Sequence, residues 1–400
     1  MTTWHQLARR IIVSAGATLA AAAASAIVTV AQPQAPVEFE RSRSASRYGA
    51  VSNETIALSP LAAGPGRVFL QPLPYDGSVR LHFVIGAPPA NGGWELRILD
   101  GDDVRWTTTA DEESGPSFWS EEVTGDRLMI EVRTTSASAG FVVTIDKIAL
   151  AAPRVVPQAT TPPRDCKTPV KSMAPPQGCH AIDADTATRV RSSEPAVARL
   201  RLVADDGFEY FCSGFLIASD LLLTNWHCVQ SIEEMHATRV DFDYDDATVK
   251  PLTLRIKERV IPSAKSALDF VVLRLRKSPN RPPLRLADTA ASAQSLVVIQ
   301  HPDGEPAHVS VEDCRVTNPE LPGADPEQKT DFGHLCDTSG GSSGSAMQDE
   351  RTGEVIGLHH LGFRRNSNKP VNQAVMMKRI LDAIGAERPD VLKEIMTAAQ

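Results

Sequence analysis

At 400 residues, 42% of them hydrophobic, the chain is too long for one ordinary domain and too apolar for general disorder. Its formal charge of −8 leaves no basic footprint, which excludes nucleic acid as an expected partner.

Residues 1–31 read as a signal peptide. Arg9 and Arg10 precede an uncharged, Ala-rich run from 11 to 31, and Ala24, Ser25 and Ala26 suit signal peptidase. The competing reading of that run is an uncleaved membrane anchor. Cleavage predicts a secreted protein, extracellular or periplasmic in a bacterium, with no stable membrane insertion. Residues 32–53 are polar and turn-rich, a flexible tether. From 54 to 150, short alternating runs at 67–70, 79–85, 94–99, 127–132 and 140–145 are bounded by turn residues and predict an antiparallel β-sandwich. It holds no constellation of catalytic residue types and reads as an accessory module. A Pro-rich linker carrying Arg154 and Arg164 is expected over 151–178. Strand patterns then resume and run through a domain expected over 179–387. Near its end Val375, Met376, Ile380, Leu381 and Ile384 predict a helix over 372–384 capped by Gly385, with 388–400 a helical tail.

Six cysteines in an exported chain predict three disulfides. Spacing alone leaves fifteen connectivities open. The expected set joins sequential neighbours: Cys166 with Cys179, Cys212 with Cys228, and Cys314 with Cys336.

Three segments carry chemistry. In Leu221-Leu-Leu-Thr-Asn-Trp-His227-Cys228 an apolar strand delivers an imidazole beside a half-cystine. In Ala267-Leu-Asp269-Phe-Val-Val-Leu an aspartate opens a run of β-formers, where a buried carboxylate needs donors such as a histidine Nδ1–H. In Cys336-Asp-Thr-Ser-Gly-Gly341-Ser-Ser343-Gly-Ser the glycines permit a tight turn, so the amides of Gly341 and Ser343 could converge as an oxyanion hole.

Together, in the order His, Asp, Ser, these blocks resemble the trypsin/chymotrypsin superfamily, and within it the bacterial glutamyl-endopeptidase (V8-like) branch, over roughly residues 180–385. The resemblance implies an all-β fold, a chymotrypsin-like double β-barrel closed by a C-terminal helix and preceded here by the sandwich. It implies a serine endopeptidase acting on protein or peptide substrates through His227, Asp269 and Ser343, without cofactor; a monomer is expected, although the sequence leaves oligomeric state open. Activity is then expected to climb through about pH 6–8, since His227 accepts a proton only when neutral. Ser342 stands where animal zymogens have the aspartate that captures a new N-terminus, so activation by that route is not expected. A cut in the linker should instead separate the sandwich from an active catalytic domain.

The pocket residues point two ways. Thr338 and His359 match the positions that hold a substrate glutamate in the V8-like branch. Asp337 matches the aspartate that favours Arg or Lys, unless it is structural.

Rival readings are weaker. Gly340-x-Ser342-x-Gly344 also fits the α/β-hydrolase nucleophile elbow, but too little chain follows for the acid and histidine that fold requires. His359 and His360 alternate across a strand and make a poor metal pair, so no metal is expected. The acidic run at 241–246 reads as a solvated strand edge and turn rather than a calcium site. The remaining rival is a protease fold with dead chemistry that serves in binding.

Overall fold

The computed structural model describes residues 42–43, 48–52, 56–58, 66–69, 78–88, 93–113, 115–125, 128–134, 140–151, 165–203, 209–288, 294–362 and 371–398. The expected signal peptide, Arg154 and Arg164 lie outside them. Among the described residues no helix is long and apolar enough to cross a membrane.

The first module is a two-sheet sandwich. One sheet orders Gly66–Phe69, Leu128–Thr134, Trp94–Asp100 and Asp103–Thr109. The other orders Tyr48–Ser52, Val142–Ala151, Ser78–Gly86 and Ser117–Trp119. Successive side chains alternate across a strand, so Leu81 and Phe83 of one sheet meet Leu96, Ile98, Ile130 and Val132 of the other in a sealed core. The sandwich draws in Tyr48–Ser52, part of the expected tether, and Ser42–Arg43 pairs antiparallel with Tyr210 and Phe211 of the next module.

Six strands then close a barrel in the order Glu209–Leu216, Val197–Val203, Thr238–Phe242, Leu252–Ser263, Phe270–Leu275 and Leu221–Thr224, the last returning to the first. A second sheet of eight strands curls beside it, and a bridge between Ser295 and Arg315 draws its outer edge back. The architecture is the expected all-β, chymotrypsin-like double barrel with C-terminal helices, Met377–Glu387 and Pro389–Ala398.

Three sequence expectations are corrected. Asn372–Met376 is a strand, because it pairs with Lys329–His334 on one side and Val355–Leu361 on the other, and this pairing overrides helical spacing. The helix begins at Met377, and Gly385 lies inside it, with Arg388 at its C-cap ahead of Pro389. The expected linker is built into the fold from residue 165 on, where Thr168–Pro169 pairs with His308–Ser310 and Cys166 bonds to Cys179. Asp241 is not solvated: it is fully buried, with Arg199, Arg201 and Thr253 donating to it at 2.8, 2.6 and 2.7 Å.

That buried carboxylate sits behind a polar face where the sandwich docks on the first barrel. Arg80 pairs with Glu209 at 2.7 Å and Arg201 with Glu121 at 3.0 Å, Arg255 meets Glu113, and Arg239 donates to the carbonyl of Trp119 at 2.7 Å.

Candidate active site

The strand Leu221–Thr224 is wholly buried between its two neighbours and ends in the short helical turn Trp226–Cys228. The Cys212–Cys228 disulfide ties that turn to the adjacent strand. Asp269 sits just before Phe270–Leu275 in the left-handed region, φ +47°, a conformation aspartate tolerates better than most residues. Its backbone carbonyl accepts from the amide of Trp226 and the side-chain amide of Asn225, at 3.2 and 3.0 Å. Its carboxylate accepts the His227 backbone N–H at 3.0 Å and faces His227 Nδ1 at 2.7 Å. Both side chains are buried. Burial alone would raise the Asp269 carboxyl, but His227 and then His360 outweigh it and hold the group well below the usual carboxylate range.

Ser343 lies on the turn between the two barrels. Its carbonyl accepts the Ser213 N–H at 2.8 Å, and Ser213 Oγ donates to the carbonyl of Gly341 at 2.9 Å. Gly341 and Gly344 adopt φ +86° and +87°, and both need to be glycine. A Cβ on Gly341 would lie 2.6 Å from the His301 carbonyl oxygen, and one on Gly344 2.1 Å from that of Ser213. The Gly340 carbonyl accepts from the Asp303 amide, so in that trans peptide the Gly341 N–H points away from the 301–304 turn. By the same geometry the Ser343 N–H points away from Ser345, whose amide the Ser342 carbonyl accepts at 3.1 Å.

Beside this turn lies a buried group that the sequence reading did not assemble. His359 Nδ1 meets His334 Nε2 at 3.1 Å, while His360 reaches Asp269 and Asp331. Burial, with the nearby His360, pushes His334 down to about 3, and burial with its histidine neighbours carries His359 well below the ordinary value. Only the adjacency of His359 and His360 on one strand signalled this cluster; its partners come from Lys329–His334.

The pocket residues are placed unevenly. Asp337 accepts the Cys166 backbone N–H at 3.0 Å, so its carboxylate anchors the segment that leads into the two-barrel domain. Asn372 Nδ2 donates to Thr338 Oγ1 at 3.0 Å and to the Cys336 carbonyl at 2.9 Å. The remaining disulfide joins Cys314 to Cys336, just ahead of Asp337. The sulfurs of Cys212 and Cys228 approach His227 closely, but their mutual bond removes the thiolates a metal would need.

Residues 212–358 match the family model of a trypsin-like peptidase domain. The chain is 28% identical over 185 residues to the uncharacterized protein y4fB of Sinorhizobium fredii (strain NBRC 101917 / NGR234), covering 42% of this chain and 28% of that protein. It is 28% identical over 186 residues to the secreted RxLR effector protein 73 of Plasmopara viticola, covering 42% of this chain and 45% of that one. The chain thus spans less than half the length of these curated relatives. Among solved structures it is similar to the Rv3671c protease from M. tuberculosis in its active form, with 22% identity, TM-score 0.39, and coverage of 49% of this chain and 82% of that one. It is also similar to a serine endoprotease from Yersinia pestis, with 16% identity, TM-score 0.39, and coverage of 53% and 67%. These overlaps are small, and the fold stands on its own strand topology.

Proposed function

We propose that the chain is a secreted serine endopeptidase in which Ser343 is the nucleophile, His227 the base and then the acid, and Asp269 the orienting carboxylate. The observation that carries this reading is the buried 2.7 Å contact between His227 Nδ1 and Asp269 within a match to the trypsin-like peptidase domain. With Nδ1–H donated to Asp269, Nε2 is the basic nitrogen. Ser343 Oγ attacks the peptide carbonyl carbon while its proton passes to His227. That proton then goes to the leaving amine as the C–N bond breaks, and water hydrolyses the acyl-enzyme by the same relay. The amides of Gly341 and Ser343 would hold the oxyanion, an effect worth about 3–4 kcal/mol per donor. The two peptide planes described above support this role.

For the bond cut, we favour the carbonyl side of glutamate. An aspartate that already accepts the Cys166 amide is a poor counter-ion for a substrate Arg or Lys, which leaves the Thr338 hydroxyl as the donor to a carboxylate. His359 is a buried neutral ring already engaged by His334 and the Gln373 backbone, so it backs this pocket rather than donating into it. The Cys166–Cys179, Cys212–Cys228 and Cys314–Cys336 bonds support an oxidising, extracytoplasmic location.

Ser343→Ala is expected to fold normally, lose turnover by several orders of magnitude and lose fluorophosphonate labelling. Wild-type hydrolysis of casein by that variant would sink the assignment, and an unaltered chain inert to both probes would point to a binding protein. Cleavage-site profiling of a denatured protein digest should show glutamate before the cut, in the Asp337→Asn variant as well. Cleavage after Arg or Lys that vanishes in Asp337→Asn would reverse the specificity reading.

A further inference from the structure

Asp269 is not held by His227 alone. His360 Nδ1 stands 3.4 Å from Asp269 Oδ2, the same oxygen that meets His227 Nδ1, and His360 Nε2 stands 2.7 Å from Asp331 Oδ2. His360 is 5% exposed, and Asp331, Asp269 and His227 are each 1% exposed. Thr330 donates to the other oxygen of Asp331 at 2.9 Å, so that carboxylate is itself held in place.

The chemistry of this row decides the charge of its middle member. A neutral imidazole carries one N–H and could serve only one of the two carboxylates, leaving the other facing a lone pair in a buried site. An imidazolium serves both. The groups around His360 come from four elements. Asp269 precedes Phe270–Leu275, Asp331 and His334 lie on Lys329–His334, His359 is its neighbour on Val355–Leu361, and His227 lies on the turn after Leu221–Thr224. His334 and His359 are kept neutral, so they do not compete for the carboxylates. Burial alone would lower His360, but Asp269 and Asp331 outweigh it and raise the ring to about 9.

We propose that His360, an imidazolium clamped between Asp331 and Asp269, is a positioning residue that aims Asp269 at His227 and keeps the base unprotonated to lower pH. This rests on the reading of His227 as the base. When His227 takes the Ser343 proton, the row Asp331, His360, Asp269, His227 alternates in sign and is neutral overall. A cation behind Asp269 offsets part of its pull on the His227 proton, so His227 gives that proton up more readily. Removing the cation should therefore make His227 hold its proton to higher pH.

The test compares kcat/KM against pH for the unaltered protein, His360→Gln, and the double variant His360→Gln/Asp331→Asn. The double variant removes both buried charges together, so it avoids leaving Asp331 uncompensated. The acidic limb is expected to move up by about one pH unit in His360→Gln and by less, in the same direction, in the double variant, where loss of the more distant Asp331 anion offsets part of the shift. A merely structural role would lower the rate without moving the limb, and an unmoved limb in the double variant would overturn the proposal. A second readout does not depend on turnover. Ring-nitrogen NMR of the Ser343→Ala protein should show one histidine still protonated at pH 8, a signal lost in His360→Gln. Its absence would also overturn the clamp. Failure of the endopeptidase reading looks different: the unaltered protein would show neither turnover nor labelling, while the NMR readout would still report the charge of His360.

Discussion

Acid should unfold this protein earlier than its carboxylates alone would predict. His301, His334 and His359 are buried as neutral rings. Burial pushes His301 and His334 down to about 3, with the Arg199 charge adding to the effect at His301, and it carries His359 well below the ordinary histidine value. In the unfolded chain each titrates near 6.5. Below that pH the unfolded chain binds three protons that the native chain does not, so stability falls as pH falls. At pH 5 each ring costs about 2 kcal/mol, a figure set by the unfolded value alone while the native ring stays neutral. The three together cost about 6 kcal/mol, a large share of the 5–15 kcal/mol typical of folded proteins. Glu194 works the other way: burial, then Asp245 and Asp243, raises it to about 7, and its uptake of a proton in the native state offsets part of the loss. The depressed carboxyls of Asp269 and Asp241 keep their contribution until the pH drops below the ordinary aspartate value, so the window from 6.5 to 5 is set by the three histidines less Glu194. The assay is the urea midpoint of the Ser343→Ala protein, in which the proposed mechanism leaves no self-digestion, at intervals from pH 6.5 to 5, below the range in which His360 takes up its own proton. A fall equivalent to about two protons is expected, three from the histidines less one from Glu194, eased by about one in His301→Gln. A midpoint that stays level from pH 6.5 to 5 would refute the reasoning.

Two other outcomes follow from the geometry. Gly344→Ala puts a Cβ 2.1 Å from the Ser213 carbonyl oxygen and 2.3 Å from Thr224 Oγ1, which no rotamer change can relieve at the backbone. The turn must shift, at a cost of about 1–3 kcal/mol, and fluorophosphonate labelling of Ser343 should slow by about a hundredfold; labelling at the normal rate would contradict the packing. A single cut between 152 and 164 is expected to leave the sandwich associated with the barrels rather than release it as the linker pattern suggested, through Arg80–Glu209, Arg201–Glu121 and Arg239 on the Trp119 carbonyl. Gel filtration at low salt should then give one peak, and two separate peaks would show that these contacts do not hold the modules together.

The chemistry that brings His227, Asp269 and Ser343 to notice is local, and so it was legible in the sequence. An apolar strand ending in a histidine beside a half-cystine, an aspartate opening a β-run and a Gly-rich turn each declare themselves within a dozen residues. Alternating patterns likewise placed the sandwich strands, because period two follows directly from burial of one sheet face. What escaped depends on partners far apart in the chain. His360 reads as one half of a histidine pair until Lys329–His334 brings Asp331 against it and the barrels bring Asp269 to its other side. Asp337 reads as a pocket residue, and only the assembled fold brings the Cys166 amide to its carboxylate. Asp241 reads as surface until two arginines close over it, and 372–376 reads as helix until two strands supply its hydrogen bonds. The common reason is that burial and partnership set a side chain's charge and role. Both are properties of the assembled sheets, and no short window of sequence contains them.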